Sequence, residues 1–178
     1  MKNKIIFLIL FISLQNLFFL TLHANEEFVF DVTEIEILDG GDRIIGKNRG
    51  VIKSNDGIVI EADEFEFNKI KNILRAKGNI SIEDQINKYN FSAQNIIYNI
   101  NEERIELRGK VEASIDTNYK FSSQNIIILR NDMIISSDVG VTILDNINQT
   151  RYEIGKFSYS LKEETLKGEK IFIHTKYN

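Results

Sequence analysis

The chain has 178 residues with no Cys, no Pro and no Trp, is 43% hydrophobic, and carries a formal charge of −4. Without Cys it can hold no disulfide framework, no thiolate nucleophile and no sulfur-ligated zinc. A mildly acidic chain also lacks the concentrated basic face that nucleic acid rewards.

The first segment in chain order is a leader. Lys2 and Lys4 precede an almost wholly apolar run from Ile5 to Leu22, and Leu22-His23-Ala24 ends it before the polar Asn25-Glu26-Glu27. That order predicts a secretory signal peptide over residues 1–24. An uncleaved inner-membrane anchor is the alternative, because eighteen residues are just enough to span a bilayer. Either way the remainder is expected outside the cytoplasm, in the periplasm. Removing the leader takes away two Lys and no acid, so −4 becomes −6.

From Phe28 onward the chain repeats itself. Tyr89-Asn-Phe-Ser-Ala-Gln-Asn-Ile-Ile97 and Tyr119-Lys-Phe-Ser-Ser-Gln-Asn-Ile-Ile127 share seven of nine positions at an offset of 30. The register extends to five copies starting at Phe28, Ile58, Tyr89, Tyr119 and Thr150. Each copy carries four apolar pairs. In the second copy they are Ile58 and Ile60, Phe65 and Phe67, Leu74 and Ala76, then Ile80 and Ile82; in the last, the closing pair falls on Phe172 and His174. Repetition on this scale is the mark of stacked units, each unable to bury its own apolar face.

Apolar residues recur at every second position within each copy, and their β-branched and aromatic character suits strands. Polar clusters such as Asn55-Asp56-Gly57 and Asn101-Glu102-Glu103 mark turns. The alternation slips once per arm: Ile58, Ile60 and Ala62 are even, Phe65 and Phe67 odd. A bulge near Asp63-Glu64 returns both halves to one side, with Gly78 and Gly109 bending the returning arms. The predicted unit is a bent hairpin of about 30 residues. The fold class is an all-β, twisted antiparallel β-sandwich or jellyroll of five such units, with ten long bent strands, or up to twenty short ones if every corner breaks. A parallel β-helix is the alternative.

No catalytic constellation emerges. His174 is the one histidine beyond the leader, and Ser92, Ser122 and Ser158 have no base paired with them in the sequence. Glu61, Asp63, Glu64, Glu102 and Glu103 read as solvated turn or face residues, and neither a phosphate-binding glycine loop nor an EF-hand is present. No enzyme activity, cofactor or metal is expected.

The segments Phe30-Asp-Val-Thr-Glu-Ile-Glu-Ile37, Asp56-Gly-Ile-Val-Ile-Glu-Ala-Asp63 and Ala76-Lys-Gly-Asn-Ile80, with the repeated Phe-Ser-Ala-Gln-Asn, resemble the OstA-like periplasmic domain. That family is shared by LptA, LptC and the N-terminal part of LptD, the lipopolysaccharide-transport proteins. The resemblance covers about residues 28–175, nearly all of the predicted domain at 28–178. It implies a β-jellyroll with an apolar groove for lipid A acyl chains, and protomers joined edge to edge into a bridge across the periplasm.

Sequence physics is compatible with such cargo. Exposing an acyl chain of about 12 methylenes to water costs on the order of 10 kcal/mol, so a carrier needs a continuous apolar lining. Candidate lining residues are Ile58, Ile60, Ala62, Phe65, Phe67, Leu74, Ala76, Ile80 and Ile82, followed by Phe91, Ala93, Ile96, Tyr98, Ile105, Leu107, Val111, Ala113, Phe121, Ile126 and Ile128. The small members, Ala62, Ala76, Ala93 and Ala113, are where width for a chain could arise. These residues would equally fill any sandwich core, and spacing alone does not separate an open groove from a closed one. Phe28 and Phe30 at one end and Ile171 and Ile173 at the other mark unprotected edge strands, expected to pair with a homologous domain or a second copy. A structural or adhesive exported β-solenoid without cargo is the competing reading; an exported hydrolase is a distant third.

Overall fold

The computed structural model describes residues 28–115 and 118–176; the leader predicted over residues 1–24 lies outside them. Twelve strands follow one another. They are β1 (Phe28–Leu38), β2 (Arg43–Ser54), β3 (Ile58–Ala62), β4 (Glu64–Asn68), β5 (Ile73–Asp84), β6 (Tyr89–Asn99), β7 (Arg104–Ile115), β8 (Tyr119–Leu129), β9 (Ile134–Ser137), β10 (Val141–Asp145), β11 (Thr150–Ser160) and β12 (Thr165–Thr175). All pairings are antiparallel, and with β3–β4 and β9–β10 each counted as one arm, every arm lies beside its neighbour in sequence, so the sheet is one continuous meander. The parallel β-helix is thereby excluded. β3 with β4, and β9 with β10, are single arms broken at a corner. Ten arms make twelve strands because only two corners interrupt the ladder.

The corners arise from local backbone handedness. In the returning arms, Asn48 and Arg49, Gly78 and Asn79, and Gly109 and Lys110 are consecutive residues with positive φ. Two left-handed residues in succession insert a bulge, and the ladder shifts register at Val32/Glu34, Lys77/Ile80, Ser92/Asn95 and Arg108/Val111. Gly109, at φ +74, has a second reason to lack a side chain: a Cβ there would lie 2.5 Å from Oε1 of Gln94. Gln94 and Gln124, the shared glutamines of the repeat, both sit at corners, and the Lys110 N–H donates to Gln124 at 3.4 Å. At the second corner the Asp63 N–H donates to the Gly78 carbonyl and the Arg49 N–H to the Asp63 carbonyl, both at 3.0 Å.

Bending every arm at its middle folds the sheet into two facing layers, a jellyroll-like sandwich. The front layer runs through residues 28–32, 50–54, 58–62, 80–84, 89–93 and their later equivalents; the back layer through 34–38, 43–47, 64–68, 73–77, 95–99 and theirs. Because the bulge restores the parity that alternation alone would lose, the even residues of β3 and the odd residues of β4 face the same interior. The corners form one margin of the sandwich, and the hairpin turns form the other.

One repeat assignment is corrected. β12 has 11 residues where β2, β5 and β7 have 12. Its corner carries a single left-handed residue, Lys170, instead of a pair. The lost residue reverses parity in the second half of the arm. Ile171 then lies opposite Ile154 and Ile173 opposite Tyr152, on the inward face. Phe172 and His174, expected inside, point outward, and Phe172 is 64% exposed.

Candidate functional site

The inward faces of the five units form one apolar lining, and all twenty candidate residues belong to it. None is more than 7% exposed, and the alanines at 62, 76, 93 and 113 are buried with the rest. In this state the middle of the sandwich is therefore a packed core, not an open channel. The larger hollows lie on the outer faces. One of about 620 Å³ spans a row containing Ile45, Glu66, Arg75, Ile97 and Glu106, and another of about 730 Å³ lies against Glu83, Asn90, Glu112 and Lys120.

The turn-side margin is closed by rings and by a charged cluster. Phe28, in the front layer, meets two back-layer rings edge to face, Phe67 at 5.3 Å and Tyr98 at 6.2 Å. Phe28 is consequently buried in the core, and Phe30 leans on Phe67 at 6.0 Å. What β1 leaves exposed on its inward side is Ile35 and Ile37. Sheet twist, accumulated over successive strands, explains how a first-unit side chain reaches the second and third units of the opposite layer.

Arg130 lies beside these rings. It stands in the back-layer turn after β8, and its side chain is only 8% exposed. Its guanidinium donates to Asp84 at 3.4 Å, to the Tyr98 hydroxyl at 3.0 Å, and to Asp56 and Glu103. Asp56 and Asp84 belong to front-layer turns, 74 and 46 residues away in sequence. Glu103 belongs to the adjacent back-layer turn and accepts the Tyr98 hydroxyl at 3.0 Å. Burial opposes the charge on Arg130, but hydrogen bonding to Asp56 and the fields of the neighbouring anions outweigh it and strengthen protonation. Burial likewise works against Asp56, yet hydrogen bonds from Ser54 and Arg130 hold its carboxyl below the usual range. Burial drives the Tyr98 and Tyr89 phenols well above their ordinary range, and Asp84 adds to the effect at Tyr89.

Asp84 is fully buried and also shapes its own turn. It accepts the N–H groups of Ile86 at 3.0 Å and Asn87 at 2.8 Å, and the Asn87 side-chain amide at 2.9 Å. Asp145 does the same two units later with Ile147 and Asn148. Neither aspartate stood out in the sequence reading, although Asp84-Gln-Ile-Asn87 and Asp145-Asn-Ile-Asn148 carry the signal: the same Asp-x-Ile-Asn at equivalent repeat positions. Arg130 has no such signature. Its equivalents in the other back-layer turns, which make the same backbone contact, are Lys69, Ile100 and Leu161.

Among the described residues nothing covers either end of the stack. At the first, the inward Ile35 and Ile37 are 50% and 62% exposed; at the last, Leu166, Ile171 and Ile173 are 39%, 45% and 59% exposed. Beside them run two 11-residue edge strands, β1 and β12, each with one paired side. Of the residues expected to pair at the edges, Ile171 and Ile173 lie exposed on the inward side of β12, whereas the Phe28 ring turns into the core and Phe30 packs against Phe67. Among the described residues no group of three His, Asp or Glu side chains is arranged to hold a metal ion, and no helix is long and apolar enough to cross a membrane.

No protein-family model matches the chain, and no curated protein matches its sequence. Among solved structures it is similar to LptH, described as the LptA-homologous periplasmic component of the lipopolysaccharide transport device of Pseudomonas aeruginosa. The identity is 8%, the TM-score is 0.37, and the match covers 84% of this chain and 95% of that one.

Proposed function

We propose that this chain is an exported carrier of lipopolysaccharide, a link in a periplasmic bridge of OstA-like domains that holds acyl chains between its two layers. The observation that supports the reading is the apolar lining, which runs unbroken through five units and lies uncovered at both ends beside unprotected edge strands. A cargo of acyl chains and a neighbouring module satisfy those two features together.

The closed centre fits a carrier in its unloaded state. An empty trough lined by Ile60, Leu74, Phe91 and Ile105 exposes apolar surface to water or encloses a dry void, and both are unfavourable. Loading then consists of exchanging contacts between the layers for contacts with methylenes, at roughly 0.8 kcal/mol per CH₂ removed from water. In this reading the β12 edge of one module adds to the β1 edge of the next. Continuation of the β2–β3 register, in which Ile52 lies opposite Ile60, sets Ile173 opposite the Phe30 position of the neighbour.

The tight packing of all twenty lining residues also favours a second reading, a structural solenoid that stacks through its ends and carries nothing. The two separate in one experiment. A photo-reactive residue replaces the inward Phe91 or Ile126, and as control the outward, exposed Asn90. Irradiation with lipopolysaccharide is expected to give adducts at the inward sites alone. Equal labelling at Asn90, or no adduct at any site while end-to-end association persists, rejects the carrier in favour of the solenoid.

A further inference from the structure

We propose that Arg130 is the clasp of the sandwich: it ties the free margin of the back layer to that of the front layer, and the layers part there only when it is released. The proposal rests on the carrier reading for its purpose, but not for its geometry. Every arm is joined across the corner margin by covalent chain. Opening therefore has to start at the turn margin, where the two layers are held by side chains alone. Arg130 joins three turns at that margin, with Asp56 and Asp84 on the front and Glu103 on the back. It does so once. The equivalent positions Lys69, Ile100 and Leu161 make none of these ion pairs, and Asp145, equivalent to Asp84, has its carboxylate satisfied within its own turn.

The surroundings suit a release point better than a permanent weld. Asp84 is buried and rigidly held, whereas the Asp56 and Glu103 side chains are 45% and 23% exposed. A hollow of about 320 Å³, open to solvent and lined by Phe28, Asp56, Tyr98, Ile100 and Glu103, flanks the cluster. Once Arg130 lets go, the Phe28, Phe67 and Tyr98 rings are the next contacts between the layers, and behind them lies the apolar lining. The clasp thus makes the turn margin of the first four units a gated entry, while the two ends stay open to neighbouring modules.

The chain has no cysteine, so two introduced ones report cleanly. Spin labels at Gln85→Cys, in the front turn beside Asp84, and Glu102→Cys, in the back turn beside Glu103, occupy exposed positions outside the cluster. With Arg130→Met the inter-label distance measured by pulsed electron resonance is expected to lengthen by about 4 Å, the width of one hydrocarbon chain in van der Waals contact. An unchanged distance in a folded Arg130→Met protein overturns the clasp. Should that variant lose its strand signal in circular dichroism, Asp56→Asn with Glu103→Gln retains the Arg130–Asp84 pair. A smaller lengthening is then expected, and none refutes the proposal. Lipopolysaccharide adducts at a photo-reactive Phe91 position give the separate readout. A several-fold rise in Arg130→Met supports clasp and cargo together, whereas a lengthened distance with no adduct in either protein leaves the clasp standing and removes lipopolysaccharide.

Discussion

Replacing Ile173 by glutamate tests whether the open ends exist to be covered. Ile35, Ile37, Leu166, Ile171 and Ile173 together expose the equivalent of about two and a half full side chains. At about 1.5–3 kcal/mol per apolar side chain, covering them contributes roughly 4–8 kcal/mol. That is comparable with the 4–15 kcal/mol lost to restricted motion on association, so the apolar contact and the new backbone ladder have to act together. Ile173, 59% exposed, supplies about 1–2 kcal/mol of this. A carboxylate in its place adds a desolvation penalty of similar size. A total near 3 kcal/mol weakens association about 100-fold. Sedimentation velocity over a concentration series reads the change directly. Phe172→Glu is the matched control: it lies on the same strand and is equally exposed, but it faces outward and should associate as the unsubstituted chain does. If both variants associate equally, or if the unsubstituted chain neither self-associates nor pairs with an OstA-like domain, inward end-covering is wrong.

Other outcomes follow from the same packing. Leu107→Ala empties a fully buried position and is expected to cost about 2–5 kcal/mol, seen as a lower urea midpoint with unchanged slope. Gly109→Ala meets both a positive φ and the Gln94 side chain, for about 1–2 kcal/mol of backbone strain plus the clash. Gly40→Ala, at φ +68 with open space around its Cβ, incurs the strain alone, so equal losses at the two sites would discount the corner contact. Asp145 is held below the usual carboxylate range by the Asn148 backbone N–H first, then by the Asn148 side chain and the Ile147 N–H. A folded pKa below the unfolded value of about 3.9 gives stability that is present above that pH and lost as pH falls through the folded pKa. Asp145→Asn should therefore melt lower at neutral pH and lose part of the acid dependence. An unchanged melting profile between pH about 5 and about 2 would discount the turn's contribution.

Much of the architecture was readable because strand alternation has a period of two and the copies have a period near thirty. Ile58, Ile60, Phe65 and Phe67 declare both the inward face and the parity slip that requires a corner. Gly78 and Gly109 mark where the returning arms bend, and both have positive φ. The broken arms at β3–β4 and β9–β10 were not separable from the unbroken ones, because the repeat is the same in both. In β12 the counting failed by one residue: a corner built from one left-handed residue instead of two leaves no trace in the composition, yet it turns Phe172 outward and Ile173 inward.

The amino-acid order thus determined by itself the unit, its bend and, outside β12, which side chains face inward, since all three depend on neighbours a few residues apart. How the two layers meet is a different matter. Their crossing is the sum of small twists over many strands, and no local pattern encodes that total. Only the folded arrangement brings Arg130 to Asp84 and Asp56, sets Phe28 between Phe67 and Tyr98, closes the middle and leaves both ends bare.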